Sequence, residues 1–226
     1  MKAIILVSGG MDSCVTVASA KEDGYVISFL HMNYGQRTEN RELAAFNNIA
    51  DYYMVSERLV VDISHLSAIG DSCLTNKNIE IPDANLDNSD IPISYVPFRN
   101  ANILSAAVSW AEVLKAVAIY IGAVEEDSSG YPDCRRSFFD TFEEVIDSGT
   151  KPETKIKIVT PLITLTKKEI VEKGISLNEK CSILFSPTFG KIDPSLIVEW
   201  ILEGNIPVRM QLQMHKQIWP HDEKSV

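Results

Sequence analysis

The sequence predicts an α/β protein with a parallel, doubly wound sheet of about five strands and helices on both faces. Short apolar segments alternate with segments of helical periodicity as far as residue 175. Strands that alternate with helices in this way are joined by right-handed crossovers and lie parallel in one sheet. The pattern changes after residue 175, which predicts an atypical C-terminal appendage over residues 176–226.

Five segments have the length of buried strands and are rich in β-branched or aromatic residues. They lie at residues 3–7, 25–31, 58–61, 117–121 and 157–159. Helical patterns alternate with them at residues 11–22, 39–53, 99–115, 134–147 and 166–173. In the helix predicted at residues 99–115, Ile103, Ala107 and Trp110 recur at steps of four and three, which gives that helix one apolar face.

Residues 64–98 fit neither pattern. They carry three prolines, Pro82, Pro92 and Pro97, among many Asp, Asn and Ser residues. A loop of this length inside a compact domain usually has a function or is mobile. Because it connects a strand to a helix, we expect it over the carboxyl edge of the sheet, where open α/β folds bind ligands.

The appendage contains one helical pattern, at residues 194–204. Leu196, Ile197 and Trp200 would share one face of that helix, and Gly204 would end it. An exposed face over residues 196–202 would suit a homodimer interface. The last twenty residues are polar, and we expect them to be loosely held.

The composition, 226 residues with 45% hydrophobic and 23% charged, is typical of a soluble globular protein. A net charge of −10 argues against broad nucleic-acid binding, because that binding depends on phosphate neutralisation. Gly9 and Gly10 break the apolar N-terminal stretch before it reaches the length of a signal or membrane segment. We therefore expect a cytoplasmic protein with no membrane partner, and the widely spaced cysteines to be free thiols.

The sequence SGGMDS at residues 8–13, which we name the cradle, follows the first predicted strand and opens the first predicted helix. Unpaired N–H groups at a helix start bind anions, and two glycines let the backbone turn sharply and approach a ligand. Asp12 either caps the helix or holds a magnesium ion bound to phosphate. The cradle lacks the lysine of the common P-loop of nucleoside triphosphatases.

This pattern after a first strand resembles the pyrophosphate loop of the N-type ATP pyrophosphatases, which have the adenine nucleotide alpha hydrolase-like fold. Further motifs narrow the resemblance: NYGQR at residues 33–37, YVPFRN at 95–100, SSGYPDCR at 128–135 and GTKP at 149–152. Together they make residues 1–175 similar to the 7-cyano-7-deazaguanine synthase family of queuosine biosynthesis. We interpret residues 1–175 as one ATP pyrophosphatase-like α/β domain.

The resemblance implies an ATP-dependent C–N ligase. That family converts 7-carboxy-7-deazaguanine and ammonia to the nitrile by adenylating the carboxylate, forming the amide and then activating the amide oxygen. ATP and Mg²⁺ are therefore implied as cofactors, and these small molecules as partners, without direct contact to nucleic acid. Because no glutaminase-like domain fits in 226 residues, we expect free ammonia as the nitrogen source.

The resemblance also implies roles for particular residues. It assigns ATP binding to Val7, Ser8, Gly9, Gly10, Met11, Asp12, Ser13, Cys14, Gln36 and Arg37. It assigns catalysis to Asp12, Arg99, Glu126 and Asp127. It assigns substrate binding to Phe98, Asn100, Tyr131, Asp133 and Lys151.

These residue types suit the chemistry. The Arg99 guanidinium would neutralise phosphate or the substrate carboxylate with a fork of donors; a capping or surface arginine is the alternative. Glu126 and Asp127 would accept hydrogen bonds from a guanine-like edge or hold magnesium, unless they form a solvated acidic turn. Phe98 and Tyr131 would stack on a flat heterocycle or pack in the core. No histidine has a partner at a spacing that gives it a role.

The sequence departs from the family pattern after the helix predicted at residues 166–173. The family places there four cysteines that bind a structural zinc, whereas only Cys181 falls near the expected position and no cysteine follows it. One thiolate does not make a zinc site, so we expect no zinc. Residues 176–226 are either a replacement for the zinc lobe or an unrelated tail, such as a shifted reading frame would produce. Two alternative functions therefore stay open. The chain is either a nucleotide-binding protein with impaired or no turnover, or an adenylating enzyme with a different acceptor.

Overall fold

The structure is a computed structural model. It describes residues 1–70, 72–76, 78–79, 91–125, 131–177, 184–186, 193–205 and 208–212. The chain forms two compact units, Met1–Ile170 and Val171–Val226. The domain boundary that the sequence places after residue 175 stays a prediction.

A five-stranded parallel sheet forms the centre of the first unit. Its strands are β1 (Lys2–Leu6), β2 (Val26–Asn33), β3 (Arg58–Asp62), β4 (Ala118–Tyr120) and β5 (Lys157–Val159). The strand order is β3-β2-β1-β4-β5, and every neighbouring pair is parallel. The central strand β1 pairs on both sides, with Ala3 opposite Ile27 and Ala118. The predicted fold class is confirmed.

Helices cover both faces of this sheet. They are α1 (Met11–Glu22), α2 (Glu39–Tyr52), α3 (His65–Ile69), α4 (Arg99–Leu114) and α5 (Arg136–Gly149). A further helix, α6 (Lys167–Ser176), begins in this unit. Successive residues of a strand point to opposite faces, and the two faces have separate cores. Ile4 packs in one core with Leu104 of α4, whereas Ile5 packs in the other with Phe46 of α2.

The segment predicted as a long loop, residues 64–98, contains regular structure at its start. Helix α3 begins where Asp62 Oδ1 accepts a hydrogen bond of 2.7 Å from Ser64 N, and Gly70 follows it with a φ of +90°. Five residues are too few to show a helical period in a sequence. The helix predicted to begin at residue 134 begins at Arg136 instead, because Pro132–Cys134 form a separate 3-10 turn.

The second unit contains helix α7 (Pro194–Glu203) and the two short parallel strands β6 (Leu184–Phe185) and β7 (Arg209–Met210). The predicted helix is confirmed: its start is capped by Asp193, whose carboxylate accepts from Ser195 N at 2.9 Å. The strands were not predicted, because two residues are too short for a strand pattern. Cys181 and the last 14 residues, 213–226, lie outside the described residues.

Candidate active site

A cavity of about 810 Å³ opens at the carboxyl edge of the sheet. Residues at the ends of β1, β2 and β4 line its floor, and the first turns of α1 and α4 line its walls. This is the edge at which open α/β folds bind ligands. All the lining residues belong to the first unit.

The cradle lines this cavity, and the Ser13 hydroxyl is hydrogen-bonded to its backbone. Gly10 N-caps α1 in an extended conformation, with no side chain bonded to the helix start. The Ser13 hydroxyl donates to Gly10 O at 2.8 Å and accepts from Gly9 N at 3.1 Å. The first N–H groups of α1 have no intrahelical acceptor, and they belong to residues that line the cavity, so they are available to an anion bound there.

Glycine is required at two places around the cradle. Gly9 has a φ of +88°, and a Cβ there would lie 2.6 Å from Ala45 Cβ of α2. Gly122, directly after β4, leaves room for the start of α1, since its Cβ would lie 2.9 Å from Thr16 Oγ1. Both contacts are shorter than ordinary van der Waals separations. The cradle thus keeps its shape only if both positions lack a side chain.

Asp12 forms an ion pair with Lys167, which lies near the C-terminal end of the first unit in the sequence. Its Oδ2 lies 2.9 Å from Nζ of Lys167, the first residue of α6. Its Oδ1 is buried and has no hydrogen-bond partner among the described residues. A carboxylate oxygen in this state is a suitable ligand for a magnesium ion.

Arg99 and Tyr34 form a fixed pair in the cavity wall. The Arg99 guanidinium lies 5.4 Å from the centre of the Tyr34 ring, and its Nη1 donates to the Tyr34 hydroxyl at 3.4 Å. Burial raises the pKa of Tyr34. Burial works against the charge of Arg99, but Tyr34, Cys134 and Asp133 outweigh it and raise the pKa of Arg99. Arg99 is therefore a permanent positive charge beside the cavity.

Asp133 and Asn100 are bonded to each other. The Asp133 carboxylate accepts from Asn100 N at 2.9 Å, and Asn100 Nδ2 donates to Asp133 O at 2.8 Å. Both residues are buried. Burial raises the pKa of Asp133, while the bond from Asn100 N and the charge of Arg99 oppose that rise. The pair anchors the start of α4 and so positions Arg99.

The structure brings most of the predicted site residues to one cavity. Those that line it are Val7, Ser8, Gly9, Gly10, Met11, Asp12, Ser13, Arg99, Asn100 and Tyr131. Those that do not line it are Cys14, Gln36, Arg37, Phe98, Asp133 and Lys151. Glu126 and Asp127 lie outside the described residues.

Gln36 and Arg37 hold loops in place beside the cavity. The buried Gln36 amide accepts from Tyr34 N at 2.9 Å and donates to Glu42 Oε2 at 3.0 Å. The Arg37 guanidinium donates to the carbonyls of Asn76 and Ile79, at 2.7 and 2.5 Å. Both residues thus position the backbone that follows β2.

Phe98 and Lys151 lie in different surroundings. Phe98, with a φ of 55°, precedes α4 and packs edge-to-face on Phe138, with 6.2 Å between ring centres. Lys151 N donates to Glu112 near the C-terminal end of α4, from which the chain enters the amino end of β4. Lys151 therefore lies at the edge of the sheet opposite the cavity.

The cavity is also lined by residues for which no role was predicted, among them His31, Glu42 and Lys167. His31 lies in the buried stretch of β2, and its Nδ1 lies 2.8 Å from Val7 O. A carbonyl only accepts, so Nδ1 donates this bond, and the buried Nε2 has no partner among the described residues. The available signal was its position at the carboxyl end of a strand beside the cradle.

Residues 2–189 match the model of the family described as queuosine biosynthesis protein QueC. The chain belongs to this family. The 7-cyano-7-deazaguanine synthase of Chloroherpeton thalassium is 58% identical over 177 residues, which cover 78% of each chain. That of Chlorobium phaeobacteroides is 55% identical over 186 residues, which cover 82% of each chain. The resemblance inferred from the motifs is confirmed, and the QueC match continues past residue 175.

A solved structure also shares the fold. A protein from Methanocaldococcus jannaschii, described as a predicted subunit of tRNA methyltransferase, aligns with a TM-score of 0.50 and 16% identity. The alignment covers 91% of this chain and 88% of that one. At this identity the likeness concerns the fold alone.

Among the described residues, no group of three or more His, Cys, Asp or Glu side chains is placed to hold a metal ion. Among the described cysteines, Cys73 is buried and is a free thiol. No helix within the described ranges is long and apolar enough to cross a membrane.

Proposed function

We propose that this QueC-family chain is a 7-cyano-7-deazaguanine synthase. It uses ATP to convert 7-carboxy-7-deazaguanine and ammonia to 7-cyano-7-deazaguanine. The observation that supports this most strongly is the combination, in one cavity, of the cradle with the fixed positive charge of Arg99. Such a cavity offers N–H donors for a phosphate chain and a cation for a carboxylate.

The first half of the reaction activates the carboxylate. A carboxylate is a poor acyl donor because its oxygen leaves badly. Attack of that oxygen on the α-phosphorus of ATP forms the acyl adenylate, breaks the bond to the β-phosphate and releases pyrophosphate. The N–H groups of the cradle stabilise the charge that develops on the departing pyrophosphate. Ammonia then displaces AMP and gives the amide.

The second half repeats this activation on the amide. The amide oxygen attacks a second ATP, and pyrophosphate leaves again. Loss of two protons from nitrogen and of AMP from carbon then forms the nitrile. One nitrile therefore consumes two ATP and one ammonia, and each oxygen of the original carboxylate leaves on one AMP.

The cavity wall suits a flat substrate with one negative charge. Arg99 can bind the carboxylate with parallel donors, and Asn100 and Asp133 fix the helix turn that carries it. Tyr131 lines the cavity with its hydroxyl 2.5 Å from Ser94 Oγ and its ring beside Tyr95. A ring held in this way offers a rigid surface for a heterocycle.

Magnesium fits this site through Asp12. The unpartnered Oδ1 is the kind of hard oxygen ligand that Mg²⁺ prefers. When bound, the ion would neutralise charge on the phosphates. The assignment of the guanine-like edge to Glu126 and Asp127 stays a prediction, as does the absence of zinc.

A second candidate function is nucleotide binding without turnover. It is favoured by the sequence after Cys181, which contains no further cysteine, because a structural zinc contributes folding energy in the proteins that bind one. In that case the cradle would bind ATP, but substrate would not be adenylated.

The purified full chain should be incubated with ATP, Mg²⁺, ammonium and 7-carboxy-7-deazaguanine, and the products measured by mass spectrometry. We expect nitrile and AMP from the wild type. Arg99→Gln should lose nitrile formation, whereas Lys21→Gln, at the far end of α1 from the cradle, should keep it. AMP with amide alone would limit the activity to the first half of the reaction. ATP binding without AMP would overturn the synthase proposal in favour of the second candidate.

A further inference from the structure

We infer that Lys167 binds the β- and γ-phosphates of ATP, and then the released pyrophosphate, and supplies the cation that the cradle itself lacks. This inference rests on the proposed use of ATP by the same cavity. Lys167 lies 155 residues after Asp12 of the cradle. The two belong to one site only because the fold places the first residue of α6 beside the first turn of α1.

The Lys167 ammonium lies beside the cradle. Its Nζ lies 2.9 Å from Asp12 Oδ2, in the first turn of α1, and its side chain lines the cavity. The cradle's open N–H groups belong to the same turn. An ammonium at this point is attracted electrostatically to any phosphate that the cradle binds.

Helix stability does not explain a lysine at this position. The first turn of a helix favours negative charge, so Lys167 stands where a positive charge is disfavoured. The start of α6 is capped by other groups: Thr166 N donates to Glu169 Oε2 at 2.8 Å, and Glu169 N donates to Thr166 Oγ1 at 3.2 Å. The helix start therefore has no need of the lysine.

The ion pair with Asp12 is suited to exchange. The Lys167 side chain is 51% exposed and that of Asp12 is 30% exposed, and ion pairs open to solvent are only weakly stabilising. A phosphate chain carries more negative charge than one carboxylate and competes for the ammonium. When Lys167 moves to phosphate, both oxygens of Asp12 become available, one of them already unpartnered.

Lys167 and Arg99 thus have different tasks. Arg99 is held by Tyr34 and by its buried surroundings, as a group that orients a substrate should be. Lys167 ends in a flexible ammonium on an open side chain, which can follow a leaving group as it departs. Before ATP binds, the ion pair with Asp12 balances the charge of the Lys167 ammonium.

Calorimetric titration of the full chain with inorganic pyrophosphate, ATP and adenosine, each in Mg²⁺, tests the inference. Lys167→Ala should weaken pyrophosphate and ATP binding by about tenfold to a hundredfold, the range for a lost charge-assisted hydrogen bond, and leave adenosine binding unchanged. Lys167→Arg should restore most of the affinity. Lys168→Ala is the matched control, since this neighbouring lysine does not line the cavity, and it should bind all three ligands as the wild type does.

Unchanged pyrophosphate binding by Lys167→Ala would overturn the inference, as would an equal loss in Lys168→Ala. A purely structural role would instead lower the melting temperature without ligand and weaken adenosine and pyrophosphate alike. Pyrophosphate binding needs no deazaguanine, so the test is separate from the proposed function. If the wild type makes no nitrile while Lys167→Ala weakens pyrophosphate binding, the inference about Lys167 stands and the synthase proposal is refuted.

Discussion

Replacing Gly9 by alanine tests whether the backbone of the cradle is fixed by its packing on α2. Gly9 has a φ of +88°, and an added Cβ would lie 2.6 Å from Ala45 Cβ and 3.1 Å from Glu42 O. The substitution therefore introduces two separate penalties, one from backbone conformation and one from steric overlap.

The two penalties have different magnitudes. A left-handed conformation costs an L-residue about 1–2 kcal/mol. Carbon atoms in contact are normally about 3.5–4.0 Å apart, so α2 must move by roughly 1 Å, and overpacking of this kind costs about 1–3 kcal/mol. We expect Gly9→Ala to lower the free energy of unfolding by about 2–5 kcal/mol. It should also weaken ATP binding, because the cradle moves with its backbone.

Two other glycines separate these contributions. Gly24 has a φ of +79° with nothing within 4 Å of an added Cβ, so Gly24→Ala should cost only the conformational part, about 1–2 kcal/mol. Gly149 has neither a positive φ nor a close neighbour, so Gly149→Ala should be nearly neutral. Urea denaturation followed by circular dichroism gives all three values. Equal destabilisation by Gly9→Ala and Gly24→Ala would refute the argument from packing on α2.

Two further predictions concern the residues around the cavity. Burial raises the pKa of Asp133, so the folded chain keeps this proton at a higher pH than the unfolded chain, and stability falls as pH rises from about 4 through the raised pKa. Asp133→Asn should remove that part of the slope in urea denaturation at pH 4–8, and an unchanged slope would contradict the assignment. Arg37→Ala should free the carbonyls of Asn76 and Ile79 and speed hydrogen exchange in residues 72–76 and 78–79, with little change in the melting temperature. Unchanged exchange there would show that Arg37 does not hold this segment.

The sheet and the cradle were predictable because their signals are local. A buried parallel strand is a short apolar run, and the cradle is a contiguous motif between a strand and a helix. The two-residue strands β6 and β7 and the five-residue α3 were missed because a few residues show no period. Their formation depends on contacts that a sequence pattern does not contain.

The candidate site was predictable only where residues are close in the sequence or carried by a family motif. Lys167 was missed because its partner Asp12 lies 155 residues away, and Lys168 beside it has the same chemistry. Lys151, predicted to bind substrate, lies at the opposite edge of the sheet, because the loop that carries it precedes β5 rather than following it. Charge identifies a residue type that binds phosphate, whereas topology decides which lysine reaches the site.

The adenylation of both carboxylate oxygens is the central claim, and isotope transfer tests it most directly. The full chain should be given 7-carboxy-7-deazaguanine with ¹⁸O in both carboxylate positions, together with ATP, Mg²⁺ and ammonium, and the AMP analysed by mass spectrometry. The account predicts two AMP for each nitrile, each with one ¹⁸O in its phosphate. Nitrile formed with unlabelled AMP, or with the label released to water, would contradict it.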